Sequence, residues 1–74
     1  MTVQQLENVL RVTPFAPFTI HLADGRALDV PGAEYLSYSP SGRTVIVWRR
    51  DESFTLFDLF SVTRLEVRPI RSSS

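Results

Sequence analysis

Few side chains in this sequence have the types and spacing to do chemistry. His21 is the single imidazole. It alternates with Ile20 and Leu22, which places it on the outward face of a strand. With no cysteine and no second histidine, nothing supports it as a metal ligand. Serines and threonines are plentiful, but there is no lysine and no second histidine to serve as a base. An activated nucleophile with an oxyanion hole is therefore not suggested. Asp51-Glu52 falls in a polar turn, whereas glycoside chemistry needs two carboxylates facing across a cleft. Gly25, Gly32 and Gly42 stand singly at turns, and none belongs to a phosphate-binding loop. The expectation is no catalytic residue, no metal and no cofactor, in a protein that is not an enzyme.

One group of residues could recognise something. Arg43, Arg49 and Arg50 flank an apolar strand that carries Trp48, and Tyr35 and Tyr38 belong to the preceding segment. Arginine with aromatics can stack bases and clamp phosphates. The same types anchor protein interfaces. The blander reading is a solvated rim above core aromatics. Geometry decides: an aromatic ring exposed on the face that carries the arginines supports a binding surface, and burial of every ring removes it.

The elements that position these residues follow from local pattern. Thr2 is a good N-cap, and Gln5 stands where a capping-box partner belongs. Val3, Leu6, Val9 and Leu10 then form one apolar stripe, predicting a helix over about 3–11. So short a helix must lie against a sheet to persist. Pro14 and Pro17 make a stiff connector. The stretch FTIHLADGRALDV, from Phe18 to Val30, reads as a hairpin with Asp24-Gly25 in a loop of two or four residues. Pro31-Gly32 stops its second strand. Strand segments are predicted at about 18–23, 26–30, 34–39, 43–50, 53–58 and 63–67, with a 3-10 turn at about 59–62. Thr44 to Trp48 is the most strand-like run and looks apolar on both faces. A central strand in a curved sheet explains that, as does an outer face that meets a partner or the helix. The architecture expected is mainly β with one short N-terminal helix: a five-stranded, antiparallel, strongly bent small barrel spanning residues 1–70. Residues 71–74 read as a flexible tail.

Composition bounds the function further. Seventy-four residues make one domain, and a chain of this size buries only about 60% of its unfolded surface. Neither a disulfide nor a closed zinc site is available, so self-association is the remaining common remedy. No apolar run approaches the length of a membrane span, and no signal-peptide pattern opens the chain. The expected location is cytoplasmic, in keeping with the absence of cysteine. Net charge is zero, and all eight basic residues are arginine. Arg11 and Arg26 stand against Glu7, Asp24, Asp29 and Glu34 in residues 1–40, a net −2, so residues 41–74 carry +2. That mild asymmetry admits nucleic acid but disfavours it. The partner expected is a protein, a second copy of the chain included.

The pieces TVQQLENVL, PFAPFTIHLADGR and SVTRLEV are similar to short bacterial proteins with no assigned activity, across nearly the whole chain. The order of elements also resembles the small barrels of the Sm-like and SH3-like type. In that class FTIHLADGRALDV would be the first hairpin and LFDLFSVTRLEV the end of the barrel. The resemblance implies a ring of six or seven subunits binding uridine- or adenine-rich RNA. Bacterial members of the Sm-like family carry Tyr-Lys-His before the last strand. Here that stretch is Phe57-Asp58-Leu59, with an acid and neither Lys nor His, so the RNA-binding pattern does not carry over.

Overall fold

The computed structural model describes residues 1–67. The domain end at residue 70 and the tail at 71–74 lie outside the described residues. Helix α1 spans Val3–Leu10. It starts where the sequence says it must: Gln5 N–H donates to Thr2 Oγ1 at 3.2 Å, and Thr2 N–H donates to Gln5 Oε1 at 2.9 Å. Arg11, expected as a last helical residue, is the C-cap. Leu6 is buried, and Val3, Val9 and Leu10 pack against the core.

Six strands follow. They are β1 (Phe18–Leu22), β2 (Ala27–Val30), β3 (Leu36–Tyr38), β4 (Thr44–Trp48), β5 (Phe54–Asp58) and β6 (Val62–Val67). They form two three-stranded antiparallel sheets, in the orders β2-β1-β6 and β3-β4-β5. Each sheet turns one face inward. Phe18, Ile20 and Val30 from the first meet Val45, Val47 and Phe57 from the second in a single core. Burial of such side chains is the main favourable term in folding. Two buried threonines are satisfied: Thr19 Oγ1 donates to Asp29 Oδ1 at 2.9 Å, and Thr55 Oγ1 accepts from Arg49 Nη2 at 2.7 Å.

The sheets do not close, and this overturns the expected five-stranded Sm-like or SH3-like barrel. Two corners carry the chain between sheets. At the first, Pro31 cannot extend a ladder, and Ala33–Tyr35 form a 3-10 turn where the sequence predicts strand from residue 34. At the second, the 3-10 turn Leu59–Ser61 leads from β5 to β6. Leu59 N–H donates to the Arg43 carbonyl at 2.7 Å, and Ala23 N–H to the Ser61 carbonyl at 2.8 Å, so each sheet is bonded up to this corner. Strand β3 has only three residues, and among the described residues β2, β3, β5 and β6 remain sheet edges. The expected strand at 43–50 is also shorter, at 44–48.

Two hairpin loops share one geometry. Gly25 N–H bonds the Leu22 carbonyl at 3.0 Å, and Leu22 N–H bonds the Arg26 carbonyl at 2.9 Å. The loop therefore has three residues, ending on Gly25 at φ +95°. Arg49 to Ser53 repeats these bonds at 3.0 and 2.8 Å, with Glu52 at φ +73° in the position of Gly25. A left-handed backbone costs a residue with a Cβ about 1 kcal/mol or more. Glu52→Gly is therefore expected to stabilise the fold by about 0.5–1 kcal/mol, read as a higher urea midpoint at unchanged slope. Loss of stability on that change would mean that the Glu52 side chain contributes more than its backbone costs.

Candidate interaction surface

Strand periodicity decides what the second sheet shows to solvent. Val45, Val47, Thr55 and Phe57 face inward, so Ile46, Trp48, Phe54, Leu56 and Asp58 face out. Pairing sets Ile46 opposite Leu56 and Trp48 opposite Phe54. The rings of Trp48 and Phe54 lie 5.0 Å apart, tilted by 49°. Trp48 is 38% exposed, Phe54 53% and Leu56 57%. Phe60, at the far end beside Asp58, is 75% exposed, with the Arg43 guanidinium 5.5 Å from its ring centroid. These side chains make one apolar strip along β4 and β5. Helix α1 does not supply its cover: it packs toward the other side of the sheet, where Val3 approaches Gly42 and Glu7 reaches Tyr38.

The six residues singled out by sequence separate into three places. Trp48 belongs to the strip. Arg43 stands at one end of it, with Nε 3.5 Å from Asp58 Oδ2. Arg49 has the opposite parity and turns toward the interior side, donating to Thr55 and, at 3.2 Å, to Ser53 Oγ. There it borders a cleft of about 290 Å³ with Leu28, Asp29 and Val47. Arg50 lies 6.0 Å from the ring centroid of Tyr35, which is half-buried in the first corner. Tyr38 is half-buried under the helix, and its hydroxyl donates to Glu7 Oε2 at 2.7 Å. That hydrogen bond, with desolvation and the nearby carboxylate charge, raises the phenol above its ordinary pKa. Arg43 and Arg49 therefore do not converge; the five residues of β4 lie between them, six residue steps or roughly 20 Å.

Phe54, Leu56 and Phe60 were missed as surface residues. The signal was present, because Phe54-Thr55-Leu56-Phe57 is apolar at both parities and only one parity can enter the core. What the pattern lacked was any indication of which parity that is.

The remaining polar features belong to the scaffold. His21 Nε2 lies 2.9 Å from Glu66 Oε1 across the first sheet. Asp24 is held below the usual carboxylate range, first by the Arg26 backbone N–H and then by its guanidinium. Asp51 is lowered likewise by the Ser53 hydroxyl and backbone N–H. Both carboxylates fasten loops. Among the described residues no three His, Asp or Glu side chains gather as metal ligands would. No helix there is long and apolar enough to cross a membrane. Comparison with family models, curated proteins and solved structures finds no match.

Proposed function

We propose that this chain is a non-enzymatic protein-interaction module whose contact surface is the outer face of β3-β4-β5. The observation that supports this most is the exposed Trp48–Phe54–Leu56 block, with half-buried Ile46 beside it, on a sheet whose other face is the core. The largest apolar patch on a monomeric domain is ordinarily about 300–600 Å², and it is often the functional one, above all where polar groups rim it. Arg43, Asp51, Glu52 and Asp58 supply such a rim. A cytoplasmic setting is part of this reading, supported by the cysteine-free composition. The nucleic-acid reading has less support, because Arg49 is turned away from Trp48 and Arg43 stands at the other end of the strand.

The test is site-specific photo-crosslinking in cells. A benzophenone side chain at position 56 is expected to give discrete protein adducts. One at position 64, also solvent-exposed but on the other sheet, is expected to give none above background. Equal labelling from both positions, or none from 56, would contradict the assignment. Single-stranded RNA or DNA oligomers at low salt, where electrostatic attraction is strongest, are expected to show no shift.

A further inference from the structure

Resting on the reading of this sheet as an interaction element, we propose that a second copy of this chain joins it through the free edge of β5. The joining would be antiparallel about a two-fold axis at Leu56. Ladder geometry fixes which groups are free. Arg49 N–H bonds the Ser53 carbonyl and Leu59 N–H bonds the Arg43 carbonyl. Backbone bonding in an antiparallel pair alternates, so residues 53, 55, 57 and 59 bond to β4. The backbone groups of Phe54, Leu56 and Asp58 then point away from the sheet, the Asp58 carbonyl already accepting from Ser61 Oγ.

One register serves these groups best. With Leu56 opposite its own symmetry mate, Phe54 of one copy faces Asp58 of the other. All three positions then become hydrogen-bonded pairs, the Asp58 carbonyl accepting on its second lone pair beside the Ser61 hydroxyl. The outward parity is kept, so the two apolar strips join into one continuous face. The same register brings Glu52 of one copy beside Phe60 of the other, where the Arg43 guanidinium lies. The Glu52 side chain is exposed and makes no hydrogen bond or ion pair among the described residues. Two acid–arginine contacts thus form by symmetry at the ends of the interface.

The other edges are poorly suited. Strand β3 has three residues and turns Ser37 outward. Strand β2 stops at Val30 before Pro31, and β6 carries exposed Arg64 and Glu66, features that discourage edge pairing. Edge pairing covers the β5 backbone and the facing flanks of Phe54 and Leu56 but leaves the outer face of both strips in solvent. A standard interface buries about 800 Å² per partner, so an association of this kind belongs at the weak, micromolar end.

Sedimentation equilibrium from micromolar to millimolar concentration tests the proposal. The chain is expected to pass from one to two chain masses. Leu56→Lys should weaken this by about 10-fold or more, because it removes a cross-strand leucine pair and sets like charges face to face. Leu56→Glu should do the same alone, while an equimolar mixture of the two variants should recover the double mass. Leu56 is 57% exposed in one copy, so both variants should keep the wild-type circular dichroism. A single chain mass throughout, or undiminished association of Leu56→Lys, would overturn the pairing. If position 56 still crosslinks to other proteins in that case, the interaction reading stands and only the second copy is lost. If it crosslinks to nothing, both fall.

Discussion

Phe18→Ala is expected to abolish, or nearly abolish, the cooperative unfolding transition. Phe18 is 1% exposed and lies on the central strand of the first sheet, paired with both Val30 and Val67. Its ring also meets that of Phe15 at 6.0 Å, which ties the proline connector to the core. Truncating a buried phenylalanine costs about 3–5 kcal/mol, because the transfer energy is lost and a cavity remains. A domain of this size holds only about 4–11 kcal/mol in total. Leu56→Ala removes a side chain of similar apolarity from the exposed face. In dilute solution it is expected to change stability by less than about 0.5 kcal/mol. Urea melts of the two variants check the assignment of faces. A small effect at Phe18, or a large one at Leu56 in the monomer, would mean that the sheets are turned the other way.

Gly42→Ala is expected to cost about 2–4 kcal/mol, well beyond the roughly 1–2 kcal/mol strain of its backbone alone. Gly42 sits at φ +78° in the turn before β4. A Cβ there would overlap Val3 Cγ2 and come within 2.6 Å of Val3 Cβ, in the first turn of α1. The helix would have to lift from the turn, loosening the Leu6 anchor that it carries into the core. Gly25 provides the control. Its φ is +95°, but nothing lies within 4 Å of the place a Cβ would take, so Gly25→Ala should show only the left-handed cost of about 1–2 kcal/mol. The difference between the two melts isolates the helix contact. Equal losses would show that the helix gives way freely at Val3.

Much of this fold was legible because local physics and tertiary packing agree. Thr2 and Gln5 signal the helix start, and they make the reciprocal bonds that the pattern implies. Asp24-Gly25 marks a turn, and the positive φ falls on the glycine. Closure was not legible. It depends on how the chain leaves Pro31 and on whether a strand of three residues can bridge two sheets, and neither is encoded in alternation. The Ala33–Tyr35 turn was hidden for a related reason, since three residues cannot display a helical period. At the surface, the arginines and aromatics were correctly seen as neighbours in sequence. Parity then sent Trp48 to the outer face and the exposed Arg49 to the opposite side, beside Thr55, while Phe54 and Leu56 joined Trp48 from the next strand.

Amide hydrogen exchange along β5, followed across a dilution series, tests the interaction face most directly. The amides of Phe54, Leu56 and Asp58 are expected to exchange quickly in dilute solution and to slow progressively as concentration rises. The amide of Tyr38, on the free edge of β3, is expected to stay unchanged. Exchange at the three β5 positions that is independent of concentration would contradict pairing through this edge.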